Sequence, residues 1–184
     1  MVLPEVIGSK FLYFGYGSNL MKKRILMNNK SAVKKGFGRL DNFALGFNGF
    51  SKRWMGAPAT IAPKEGAFVY GAVYEMELSN LSDLDDQESV KEGVYIPISV
   101  PIHSKNGEVF MCRAYQLANI PEEWDGPSAK RENQPSATYL KTIVKGAIET
   151  KLPGEYVDFL KSFQHNGNIV DMFESELELR KFTL

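Results

Sequence analysis

The sequence predicts an α+β fold, on two observations. Strand-like segments fill the first two thirds of the chain and helical ones the last third, whereas a regular βαβ array would alternate them. The length, 184 residues, suits one domain over residues 1–184 and leaves little room for two.

The elements follow in order. Phe11–Gly15 reads as a buried strand, apolar and aromatic throughout. It breaks into the small, polar turn Tyr16-Gly17-Ser18-Asn19, and Met21–Met27 then reads as a helix. Phe37–Phe47 has strand-like content interrupted by glycines. Ala59–Ala62 and Ala67–Met76 predict a hairpin around Pro63-Lys64-Glu65-Gly66. Ser79–Gln87 predicts a short acidic helix, with Asn80 and Asp83 at capping-box spacing. Val94–Ile102 alternates cleanly, and its two prolines share one parity, so one edge of that strand is expected to be unpaired or interrupted. Lys105-Asn106-Gly107 turns the chain into a partner strand, Glu108–Leu117. Pro121–Pro135, which carries Trp124, reads as a long surface loop. Ser136–Thr150 predicts a helix with Tyr139, Ile143, Ala147 and Ile148 on its apolar stripe, and Gly154–Phe163 another.

Composition excludes several classes of function. Lys+Arg and Asp+Glu are both 22, so nothing electrostatic favours nucleic acid or an anionic membrane as partner. No apolar run approaches the roughly 20 residues that span a bilayer, and the segment from Met1 to Lys10 is too short and polar for a secretory signal. Cys112 is the only cysteine, which precludes an internal disulfide and fits a cytoplasmic location; within an apolar strand it reads as a packing residue. His103 and His165 lie far apart without ligand spacing, so no protein-built metal site is expected.

Two constellations carry chemistry. The first is Tyr13-Phe14-Gly15-Tyr16-Gly17-Ser18-Asn19. A strand that ends in Gly-Ser-Asn at a helix start gathers backbone N–H groups in one open loop, which favours a small carboxylate. Ser and Asn are equally ordinary helix caps, and that reading stands beside the first. The second is Leu84-Asp85-Asp86-Gln87-Glu88. Clustered carboxylates usually form a solvated face. Here Gly93-Val94-Tyr95 opens a buried strand close behind, and Asp85 precedes Glu88 by about one helical turn. Partial burial beside a second carboxylate would raise the pKa of Glu88 and suit it to proton transfer. Trp54 and Met55 read as core or pocket wall, and Gly36-x-Gly38 lacks the rest of a phosphate-binding fingerprint.

Taken together, these segments resemble the γ-glutamylcyclotransferases. Phe11-Leu12-Tyr13-Phe14-Gly15-Tyr16-Gly17-Ser18-Asn19-Leu20 is similar to that family's signature loop. Leu84–Glu88, with Lys91-Glu92-Gly93-Val94-Tyr95, resembles the segment that bears its catalytic glutamate. Cys112-Arg113-Ala114-Tyr115 and Tyr139-Leu140-Lys141 resemble a family strand and the late helix whose tyrosine borders the substrate. The resemblance spans roughly residues 10 to 160. It implies a mixed β-barrel core with flanking helices, a homodimer, and release of 5-oxoproline and a free amino acid from a γ-glutamyl dipeptide, without a cofactor. Glu88 would be the general acid/base. The loop from Tyr13 to Asn19, with Tyr95, Tyr115 and Tyr139, would bind substrate. The chain departs from the family in Ser89, where glycine is common, and in the length of the Pro121–Pro135 loop. The alternatives are a cyclotransferase specific for γ-glutamylamines or for glutathione, and a non-catalytic binding protein of the same fold.

Overall fold

The computed structural model describes residues 2–3, 5–120 and 126–184. The strands are β1 (Val2–Leu3), β2 (Val6–Ile7), β3 (Lys10–Gly15), β4 (Val33–Phe47), β5 (Ala59–Glu77), β6 (Tyr95–Ser104) and β7 (Val109–Leu117). They form one mixed sheet in the order β1-β7-β6-β4-β5-β3-β2, and a further β7–β3 pairing closes the five strands β7, β6, β4, β5 and β3 into a barrel. The expected barrel core is present. Most neighbours in it run antiparallel, but the closure is parallel and rests on the single register pair Tyr13↔Arg113.

The helices α1 (Lys22–Leu26), α2 (Leu81–Gln87), α3 (Ala137–Glu149), α4 (Gly154–Lys161) and α5 (Asp171–Glu176) flank this barrel. Ser136 caps α3 as its side chain accepts from Tyr139 N. Of the expected stripe on α3, Tyr139, Ile143 and Ala147 are buried, but Ile148 is 47% exposed. Ile148 follows Ala147 by one residue, about 100° around the helix axis, and that rotation carries it off the packed face.

The hairpin expected at Pro63–Gly66 does not form. Residues Ala59–Glu77 are one strand, paired with β4 from Phe47↔Ala59 through Val33↔Glu75. The register skips from Phe43↔Pro63 to Asp41↔Phe68, so the Pro-Lys-Glu-Gly segment is an extended bulge opposite Asn42. Asn42 Oδ1 accepts from Gly66 N at 3.1 Å, and both residues have positive φ. Turn-forming residues here bend a strand without reversing it.

β6 pairs with β7 along its length but meets β4 only at Arg39↔His103 and Gly38↔Ser104, so its Tyr95 end lacks a second neighbour, as the prolines imply. Gly38 is a close-approach position: a Cβ there would lie 2.3 Å from Ile102 Cγ2. The capping box at α2 is open, since Asn80 Nδ2 donates to the Asp83 side chain at 3.0 Å and no side chain caps the helix. Trp124 and residues 121–125 lie outside the described residues; the remainder of that loop holds short 3₁₀ turns at Gly126–Ser128 and Arg131–Asn133. Among the described residues no helix is long and apolar enough to cross a membrane.

Candidate active site

β3 carries Tyr13 to the barrel wall, and the chain leaves the sheet after Gly15. A 3₁₀ turn over Ser18–Leu20 follows, with Leu20 N donating to Gly17 O at 3.0 Å and Met21 N to Ser18 O at 3.1 Å. Among the described residues, no acceptor takes the N–H groups of Gly17, Ser18 or Asn19. The loop is fixed from below. Tyr74 donates to Asn19 O at 2.7 Å, and Lys34 and Thr150 donate to Leu20 O at 3.0 and 3.1 Å. α3 packs directly on it at Gly146, where a Cβ would lie 2.4 Å from Met21 N. Gly17 is similarly confined, its Cβ position being 3.3 Å from the Tyr139 hydroxyl. Asn19 is buried; its Nδ2 donates to the Tyr13 hydroxyl at 2.9 Å, and its Oδ1 has no partner among the described residues.

Glu88 sits at the C-terminal end of α2, half-buried. Ser89 then takes φ 52°, the left-handed conformation that glycine adopts freely, so the glycine usual in the family has a backbone reason. The last turn of α2 is clamped. Arg113 Nη2 donates to both Asp85 oxygens at 2.8 and 3.0 Å, and the Tyr115 hydroxyl donates to Asp85 Oδ1 at 2.5 Å. Asn29 Nδ2 holds Gln87 Oε1 at 2.8 Å, and Gln87 Nε2 donates to Glu88 Oε1 at 3.1 Å. Burial is the foremost cause that raises the Glu88 pKa above its ordinary value; Gln87, Arg24 and Arg53 pull it down, and Asp85 adds a smaller upward push. The neighbouring carboxylate thus acts in the expected direction, with burial the larger cause.

Glu88 and the loop face one small cavity of about 40 Å³, lined by Tyr13, Tyr16, Gly17, Ser18, Asn19, Ala59, Glu88, Tyr95, Tyr115 and Tyr139. The tyrosines are oriented by backbone. Tyr95 donates to Ala59 O at 2.6 Å, the Tyr139 hydroxyl accepts from Ala59 N at 3.2 Å, and Tyr16 donates to Tyr115 O. Burial raises their pKa values, that of Tyr139 to about 12, so they act as neutral hydroxyls. Two of the expected residues are not on the lining. Phe14 points into the core against Gly71, and Gly15 contributes close backbone passage beside Asn19.

A larger cleft of about 290 Å³ adjoins this cavity and shares Ser18, Glu88, Tyr95 and Tyr139 with it. Its other walls include Arg24, Arg53 and Trp54, of which only Trp54 was expected at a pocket. Met55, the other expected wall residue, is 42% exposed and absent from both linings. Neither a buried Arg24 nor a pairing of Arg113 with Asp85 is legible in the sequence, since charged residues normally signal a solvated surface. Cys112 is fully buried, and burial pushes its thiol up to about 12, in keeping with a packing role.

Comparison with known proteins bears on this geometry. Residues 68–160 match the AIG2-like family. The chain is 41% identical over 174 residues to a gamma-glutamylcyclotransferase of Mus musculus, covering 91% of this chain and 87% of that one. It is 42% identical over 163 residues to a gamma-glutamylcyclotransferase of Bos taurus, covering 86% and 81%. A solved gamma-glutamyl cyclotransferase superposes with a TM-score of 0.82 at 36% identity, covering 92% of this chain and 98% of its own. Relatedness at this level over nearly the whole length, on the same closed barrel, makes the chain a member of the gamma-glutamylcyclotransferase family.

Proposed function

We propose that this chain, as one domain, converts γ-glutamyl-amino acids to 5-oxoproline and a free amino acid, with Glu88 as general acid/base. One observation carries the reading: Glu88 and the undonated N–H groups of Gly17, Ser18 and Asn19 border the same small cavity. The donors and acceptors on the cavity lining match those of the γ-glutamyl head. The loop N–H groups take its α-carboxylate, and the free Asn19 Oδ1 accepts from its α-ammonium beside Glu88.

Nucleophile and electrophile belong to one substrate, so the protein needs to fold it and move protons; such orientation is worth several kcal/mol. Glu88 first takes a proton from the α-ammonium. The freed amine attacks the γ-glutamyl amide carbon, and the C–N bond to the leaving amino acid breaks as that nitrogen is protonated by Glu88. The cyclised nitrogen then gives up a second proton, which Glu88 passes to the released amine; the attacking nitrogen goes from three hydrogens to one and the leaving nitrogen from one to three, so the protons balance. Tyr95, Tyr115 and Tyr139 line the path as neutral hydroxyls.

The test is release of 5-oxoproline from γ-glutamyl-L-alanine by the wild type and by Glu88→Gln. We expect Glu88→Gln to lose roughly two to four orders of magnitude in turnover with its fold intact; near-normal turnover would overturn the role of Glu88. Because burial raises the Glu88 pKa, the acid limb of the kcat/KM profile should lie at higher pH than an ordinary glutamate would give, with activity lost as pH falls through it. A homodimer, which the family resemblance implies, and a cytoplasmic location, which the single cysteine fits, belong to the same proposal; light scattering at twice the chain mass tests the first.

A further inference from the structure

Arg24 is 3% exposed, yet its Nε and Nη1 have no hydrogen-bond partner among the described residues. Its guanidinium lies 5.7 Å from the Trp54 ring centroid and 5.9 Å from that of Phe173. Neither Arg24 nor Arg53 forms an ion pair with a carboxylate among the described residues. Rings cover a guanidinium's faces and leave its in-plane N–H donors unused, and buried polar groups are normally paired. An unpaired buried cation that lines a cleft is suited to an anion from outside the chain.

We propose that Arg24 and Arg53 form a carboxylate site for the departing amino acid, which biases turnover towards γ-glutamyl compounds whose leaving amine carries an α-carboxylate. The proposal rests on the assignment of the inner cavity to the γ-glutamyl head. Glu88 borders both spaces, so the scissile nitrogen lies where they join. In a γ-glutamyl-amino acid the leaving carboxylate carbon is two bonds beyond that nitrogen. It therefore falls in the outer cleft, on the side of the arginines. Glu88 is the sole carboxylate on the described lining there, and both arginines lie close enough to draw its proton affinity down. Phe50, Pro58 and Val94 give the cleft apolar wall for a side chain. A simple γ-glutamylamine leaves the arginines unpaired, and glutathione places a peptide bond where the carboxylate belongs.

Three substrates separate the possibilities: γ-glutamyl-L-alanine, γ-glutamyl-L-alaninamide and γ-glutamylethylamine. In the wild type we expect kcat/KM to favour the carboxylate over the other two by roughly 10- to 100-fold, the scale of a lost charge-assisted hydrogen bond. Arg53 is exposed, so Arg53→Gln should fold normally and narrow that ratio. Arg24→Gln should narrow it further. Calorimetry on Glu88→Gln gives a second readout, in which γ-glutamyl-L-alanine binds more tightly than its amide and loses that advantage when Arg53→Gln is added. Equal wild-type kcat/KM for acid and amide, or a ratio untouched by both arginine variants, would overturn the carboxylate site. Absence of 5-oxoproline from all three substrates would instead refute the reaction, and the binding ratio would then judge the site alone.

Discussion

The inner cavity and the outer cleft share a wall but solve opposite problems. In the cavity, the tyrosine hydroxyls are already committed to the protein: Tyr95 and Tyr139 to Ala59, Tyr115 to Asp85, Tyr13 to Asn19. In the cleft, a buried guanidinium keeps donors free. Committed groups give fixed geometry, which an intramolecular attack requires. Free groups cost stability in the empty protein and recover it only when a ligand arrives. Changes in the cavity should therefore weaken the fold, whereas changes in the cleft should not.

The sharpest way to break that contrast is Asp85→Ala. It leaves the Arg113 guanidinium and the Tyr115 hydroxyl without their shared partner, with side chains only 18% and 25% exposed for Arg113 and Asp85. We expect a loss of about 2–4 kcal/mol by chemical denaturation, with turnover reduced because the turn that presents Glu88 is released. Tyr139→Phe should cost about 1–2 kcal/mol by removing the acceptor for Ala59 N, and wild-type stability there would count against a committed cavity. Arg24→Met should behave in the opposite sense. It keeps apolar bulk against Trp54 and Phe173 and removes an unpaired charge, so stability should hold or rise by up to about 1 kcal/mol. A marked loss would mean that Arg24 already has a partner. Ser89→Gly, at the cleft rim, should gain about 0.5–1 kcal/mol by relieving a left-handed backbone, with the melting temperature as readout.

The sequence made some of this legible and hid the rest, for physical reasons. The β3 strand and its Gly-Ser-Asn turn, the β6–β7 hairpin and the buried side of α3 all follow from local pattern, and the closed barrel followed from the family resemblance. The bulge at Pro63–Gly66 is not legible, because proline and glycine mark a departure from regular pairing without saying whether the chain reverses; the continuous partner β4 decides that. Short elements such as α5 bury one or two side chains and leave little periodicity to read. Tyr13, Tyr16 and Glu88 could be nominated for one pocket, since motif and residue chemistry agree. Phe14 lies between two of those residues and still faces away, as strand alternation requires. Arg24 and the Arg113–Asp85 clamp depend on contacts between distant segments, which a single sequence does not display.

The barrel closes through one register pair, Tyr13↔Arg113. Tyr13 lines the cavity, and Arg113 holds the carboxylate that steadies the turn before Glu88. The weakest stitch of the sheet is thus sewn through the proposed reaction centre. Resting on a single pair, it opens under thermal fluctuation more readily than the longer antiparallel ladders on either side, β6–β7 and β3–β5. On slow heating, 5-oxoproline release should fail before the far-ultraviolet β signal does, and backbone amides beside the stitch should exchange with deuterium ahead of those in the β4–β5 ladder. Catalytic competence in this barrel would then report on the integrity of its seam, in the way a clasp reports whether a bracelet is shut.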